Sequence, residues 1–153
     1  MDRHLAIDAL RTELRRQLDA AVAAVRSASD EATGEQSKAE GKYDTRSTEA
    51  SYLARGQAAR VGALRSVVGW IETLGARGSE VVGVGSLVEL EDERGSRHFF
   101  MAPGGGGTRV QVEGGRLVVV SPTAPLGAAL MGLREGDSLS LPTGHEAEIV
   151  AVC

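Results

Sequence analysis

Two long stretches of helical periodicity, separated by a short polar break, limit what this chain can fold into. In residues 4–30, Ile7, Leu10, Leu14, Leu18, Ala21, Val22, Val25 and Ala28 recur at steps of three and four. That spacing lines up side chains on one face of an α-helix. Arg11, Arg15, Arg16, Asp19 and Arg26 occupy the other faces, with no proline or glycine between them. The apolar stripe is as narrow as a coiled-coil seam. The pattern resumes near Ser47 and Thr48, either of which could cap a helix, and continues through Leu53, Val61, Leu64, Val68 and Ile71 to Leu74, with Gln57 interrupting it. From Asp30 to Lys42 there is no large apolar residue, and Gly34 and Gly41 fall in this stretch, so a polar turn is predicted over 30–46. Two helices of about 27 residues joined this way fold back as an antiparallel pair, roughly 40 Å long at 1.5 Å per residue. Gly56, Gly62 and Gly69 weaken the second helix by up to about 1 kcal/mol each relative to alanine. They imply either close approach of the first helix or bends.

Beyond residue 80 the period shortens. Residues 81–90 alternate like a strand, 91–95 form a turn, and 97–101 read as the returning strand. Pro103 and the glycines 104–107 are predicted to be a flexible link. Residues 109–112 and 117–120 are two short apolar runs around Gly114-Gly115, and 138–141 and 148–152 supply the last strands. A short helix is predicted over 126–131, introduced by Ser121-Pro122-Thr123-Ala124-Pro125 and closed by Gly132, with Leu130 and Met131 as core residues. The expected fold class is α+β: a helical hairpin over 1–76 with its tip near 30–46, and a small β-rich domain over 77–153.

Composition narrows the function. Aromatic residues make up only 3% of the chain, which suits a thin hairpin and a small sheet better than a large globular core. The net charge of −4 argues against a free-standing nucleic-acid binder. Residues 1–76 balance 11 Lys+Arg against 11 Asp+Glu, whereas residues 77–153 hold 6 against 10. The acidic half could favour a basic partner surface or simply serve solubility. The single cysteine, Cys153, supports neither a disulfide nor a thiolate metal site, so a cytoplasmic location is expected. No stretch reaches the roughly 18–20 apolar residues of a membrane span, and no membrane partner is expected. His4, His98 and His145 lie in separate elements without metal-ligand spacing. The glycine run lacks the Lys-Ser/Thr of a phosphate loop.

The strings Gly85-Ser86-Leu87-Val88-Glu89-Leu90, Ser121-Pro122-Thr123-Ala124-Pro125-Leu126-Gly127-Ala128-Ala129-Leu130-Met131-Gly132, Glu135-Gly136-Asp137 and Ile149-Val150 resemble the C-terminal domain of the GreA/GreB transcript cleavage factors. In that family an FKBP-like domain follows a coiled-coil hairpin, so the resemblance spans nearly the whole chain. It implies an accessory factor, not an enzyme by itself. Such a factor docks on bacterial RNA polymerase at the mouth of the secondary channel and reaches inward with the hairpin. It meets nascent RNA only within that complex, and it is expected to be a monomer. Pro125, Leu126 and Gly127, with neighbouring acidic residues, are the expected docking surface. Tyr43 and Tyr52, the only tyrosines, flank the tip and could touch the channel or pack on the first helix.

In the family, acidic residues at the tip help to hold a second Mg²⁺ shared with the polymerase. This ion takes oxygen ligands and keeps several waters, so one or two carboxylates suffice. The candidates here are Glu35, Glu40 and Asp44, with Glu35 and Glu40 the expected metal ligands. The family tip reads Gly-Asp, one residue, Ser-Glu-Asn-Ala-Glu-Tyr. This chain reads Gly34-Glu35-Gln36-Ser37-Lys38-Ala39-Glu40-Gly41-Lys42-Tyr43. An amine, Lys38, stands where the second carboxylate would be, and the segment is one residue longer. Three readings stay open: a cleavage stimulator, a channel occupant that does not promote cleavage, and an interaction module for another protein.

Overall fold

The computed structural model describes residues 1–35, 45–75, 77–141 and 143–153, with backbone alone for 31–35 and 45–50. Helix α1 (Arg3–Glu35) and helix α2 (Thr45–Glu72) form the hairpin. They are followed by strands β1 (Leu87–Asp92), β2 (Gly95–Met101), β3 (Arg109–Val112) and β4 (Gly115–Val120), helix α3 (Pro125–Leu130), and strands β5 (Ser138–Ser140) and β6 (Glu146–Val152). The chain is an α+β protein in which a helical pair precedes one mixed six-stranded sheet.

Helix α1 starts on a side-chain cap: the Asp2 carboxylate accepts the Leu5 N–H at 2.9 Å, satisfying a donor the helix cannot pair internally. The helix does not stop at residue 30, where a turn was expected to begin, but continues to Glu35. Glu31, Ala32 and Glu35 are good helix formers, and one glycine costs only about 1 kcal/mol, so loss of the apolar stripe did not end it. The hairpin is antiparallel at its base. Arg11 Nε and Arg15 Nη2, near the start of α1, reach the Glu72 carboxylate at the end of α2 at 3.3 and 2.6 Å.

Burial along the seam is graded. Ile7, Leu10 and Leu14 on α1, and Val61, Leu64, Val67 and Ile71 on α2, are buried. Leu18, Ala21, Val22 and Val25 are half-buried, and Ala28 is exposed. Leu53, expected in the seam, is exposed, and Val67 takes the core place that the spacing had assigned to Val68. Two helices cover each other on one side only. Full burial appears where the sheet closes the base. Phe100, Leu87, Ala102, Leu117 and Val119 form one core with Ile7, Leu10, Leu14, Val67 and Ile71. Trp70 meets Phe100 edge-on, with ring centroids 6.4 Å apart. The Arg3 guanidinium lies 5.8 Å from the Phe100 centroid and donates to the carbonyls of Gly85 and Cys153.

The strand order is β3-β4-β2-β1-β6-β5, antiparallel except for the parallel pair β2–β4. Strand β1 begins later than expected, at Leu87. Val81 makes only an isolated bridge to Arg134, because Gly85 takes a left-handed φ of +99° and turns the chain beneath Trp70 and Leu74. The face opposite the hairpin packs a second core around Val88, Leu90, Met101, Leu130, Leu139 and Ile149. A charged node closes the margin of the hairpin face. The Glu89 carboxylate accepts from Ser96 Oγ at 2.5 Å and sits 3.2 Å from His98 Nε2. The hydroxyl is the largest influence holding the Glu89 pKa below its usual value; the His98 charge assists.

No helix among the described residues is long and apolar enough to cross a membrane. A Cβ built on Gly56, Gly62 or Gly69 meets nothing within 4 Å, so none of the three serves close helix approach. Replacing all three with alanine should therefore raise stability, by up to about 1 kcal/mol per site, read as a higher urea midpoint. Glu89 should lend stability above the normal glutamate pKa and lose it as pH falls through its depressed folded value. Glu89→Gln should cost about 1–2 kcal/mol at neutral pH and flatten the acid limb of a stability-versus-pH profile.

Candidate docking groove

Helix α3 is only six residues long, and its position is set by chain chemistry on either side. Ala124 holds extended dihedrals at the N-cap, and Pro125 takes the first helical turn, where its missing N–H costs nothing. The Ser121 carbonyl accepts the Ala124 N–H at 3.0 Å, while Ser121 and Thr123 pair through their hydroxyls at 2.8 Å. Gly127 lies directly on this turn: a Cβ there would stand 1.9 Å from the Ser121 oxygen. Only glycine lets the helix settle at this depth. Leu130 then reaches the second core, fully buried. Met131 does not join it and is 41% exposed, because the chain leaves the helix there toward Gly132, whose φ is +84°.

Opposite α3 runs the glycine segment, expected to be a loose link. It is a hydrogen-bonded turn. Gly107 N–H donates to the Val119 carbonyl, Thr108 N–H to the Gly105 carbonyl, and Val119 N–H to the Thr108 carbonyl, all within 3.1 Å. Gly105 has φ +72°, and a Cβ there would be 3.0 Å from Leu14, so the turn is wedged between the hairpin base and β4. The space between the turn and α3 is an open groove of about 410 Å³, walled by Gly106, Gly107, Ala124, Pro125 and Leu126 over Val120.

The three expected docking residues thus divide. Pro125 is exposed and Leu126 half-buried, and both line the groove. Gly127 is buried beneath them and acts by allowing the helix its seat. Tyr52 lies far off on α2 and is 67% exposed. Its position, twenty residues before the end of α2, puts it about 30 Å along the hairpin from the base. Glu40, Tyr43, Asp44 and Lys38 lie outside the described residues, as does the side chain of Glu35. Among the described residues no group of three or more His, Cys, Asp and Glu could hold a metal ion. His98 and His145 instead pair with Glu89 and Glu93.

Sequence spacing did not identify the glycine segment as one wall of the groove. Its signal was present in the abundance of glycine next to an apolar strand, which permits left-handed turns against a neighbouring backbone.

No protein-family model matches the chain, and no curated protein does. Among solved structures it is similar to GreA factor homolog 1 (Gfh1) of Thermus thermophilus, 25% identical over 94% of each chain, with a TM-score of 0.40. It is similar also to Gfh1 of Thermus aquaticus, 27% identical over 92% of each chain, with a TM-score of 0.39. A prokaryotic transcription elongation factor GreA/GreB from Nitrosomonas europaea is 26% identical, covering 53% of this chain and 64% of that one, with a TM-score of 0.35.

Gly127→Ala should lower stability by about 1–3 kcal/mol, the usual cost of forcing an atom into a filled site. A thermal melt of the purified variant checks this.

Proposed function

We propose that the protein is a transcription elongation factor that docks on bacterial RNA polymerase at the secondary channel and extends its hairpin into that channel. The observation carrying this reading is the segment 121–132. Its run Pro125-Leu126-Gly127-Ala128-Ala129-Leu130-Met131-Gly132 resembles the Pro-Leu-Gly, small residue, Ala-Leu, one residue, Gly run of the GreA/GreB factors, and it presents Pro125 and Leu126 at an open apolar groove while burying Gly127 and Leu130. The Gly127 contact holds the start of this short helix in place, so a partner side chain entering the groove would meet preformed walls, the setting in which a few buried contacts carry most of the energy of an interface.

The length of the helices supports the second half of the proposal. Helix α1 has 33 residues, about 50 Å at 1.5 Å per residue, and its outer half is thin because only the base is covered by the sheet. In this role the protein is an accessory to the polymerase and meets nascent RNA only inside the complex. Lys38 favours an occupant of the channel over a stimulator of RNA cleavage, since an amine cannot ligate Mg²⁺ in place of a carboxylate. Cleavage stimulation would need Glu35 with Glu40 or Asp44.

Core polymerase should retain the wild-type protein in a pull-down, and Leu126→Asp should weaken binding by about tenfold or more, as loss of an interface anchor does. No binding by the wild-type protein at low salt would refute the proposal. With polymerase stalled in a backtracked complex, the wild-type protein should leave cleavage unchanged or slow it. Faster cleavage, abolished by Glu35→Ala with Glu40→Ala, would instead establish the stimulator.

A further inference from the structure

A second groove, of about 660 Å³, opens on the same face of the sheet as the docking groove. Phe99, Val118 and three arginines, Arg97, Arg109 and Arg116, line it together with Gln111. The register brings them together: Phe99 pairs with Val118, Val118 with Arg109, and Gln111 with Arg116. Their charge is unusual for this part of the chain. Residues 77–153 carry 6 arginines, no lysine and 10 acidic residues, yet three of those arginines and no carboxylate line this groove. Arg97 is matched from outside by Asp92. Among the described residues, Arg109 and Arg116 make no ion pair.

We infer that this groove receives an acidic segment of the same protein partner that seats in the apolar groove, an inference that rests on the docking role proposed above. Three physical points favour this occupant. Guanidinium groups pair with carboxylates through parallel N–H···O bonds, and Phe99 and Val118 offer an apolar floor for the segment's other side chains. Arg116 and Val120 lie on the same side of β4, four residues or about 13 Å apart, so one protein surface can reach both grooves. A nucleic acid would present many phosphates to a half-molecule that is net acidic. A protein segment with two or three carboxylates need reach no further than the three arginines, and so avoids the acidic residues around them.

The test uses the full chain, with fluorescent deca-glutamate and a single-stranded RNA decamer as probes of anisotropy, and core polymerase as the third ligand. Arg109→Gln with Arg116→Gln should weaken the deca-glutamate and polymerase complexes by about tenfold and reduce their salt dependence. Arg134→Gln, outside the groove, should leave both unchanged. A thermal melt matching wild type confirms that the double variant is folded, and Arg109→Lys with Arg116→Lys should restore part of the affinity. Polymerase and deca-glutamate affinities that ignore the double substitution would overturn the inference. RNA binding that is tighter than deca-glutamate binding and lost with the same arginines would overturn it in favour of a nucleic-acid surface. If the wild-type protein fails to bind polymerase while deca-glutamate binding still depends on both arginines, the acidic-segment groove stands and the polymerase as partner falls.

Discussion

The packing of the hairpin base on Phe100 is the contact on which the rest of the molecule depends. Two helices with a seam of leucine, valine and alanine cannot exclude water from more than one side of each other. Over residues 18–28 of α1 the seam is only half-buried or exposed. At the base, Leu10, Leu14, Val67 and Ile71 become buried because Phe100, Leu117 and Val119 cover the open side. The sheet needs the helices equally. A single layer with few aromatic residues has little to bury on its own, and the face bearing Phe100 would otherwise be wet. Polar contacts around this patch, from Arg3 to the Gly85 and Cys153 carbonyls and within the Glu89 node, fix the orientation of the helices on the sheet.

Strand β4 carries this dependence across the sheet. Leu117 and Val119 point to the hairpin, while Arg116, Val118 and Val120 lie on the opposite face. The Gly105 turn sits against Leu14 on one side and bonds to Val119 on the other. Both grooves are therefore built on a strand whose other face holds the base of the hairpin. A substitution in the hairpin core, such as at Leu14, would disturb the glycine wall of the α3 groove.

Much of this was legible in the sequence, for reasons that can be named. The helices announced themselves by period, and the α3 segment by its proline start and glycine stop, since both signals are local. The end of α1 was misplaced because polarity was taken for a break, when Glu and Ala propagate a helix without an apolar stripe. Leu53 and Met131 were assigned to cores by pattern and proved exposed, because pattern says which face a residue occupies and not whether anything covers it. The arginine groove was illegible: Arg97, Arg109 and Arg116 sit on three strands and meet only through the β3–β4–β2 register. The parallel β2–β4 pair at its centre has no local signature, because its two strands are joined through a third.

That register also bears on how docking and reach are related. A partner seated in the apolar groove, as proposed, would meet α3 and the glycine turn, and the turn lies against Leu14. Between the partner and the hairpin there is one sheet layer and no long loop on the β4 side. Packed layers resist small displacements because their interiors are close-packed. Orientation fixed at the groove is thus passed to the hairpin with little loss, and a rotation of a few degrees at the base would move the far end by several ångströms over about 50 Å. Two grooves about 13 Å apart on one strand restrict such rotation more than a single groove can, since one anchor leaves the molecule free to pivot about it. In that sense the arginines, beyond the affinity they add, would be the second point that defines where the hairpin aims.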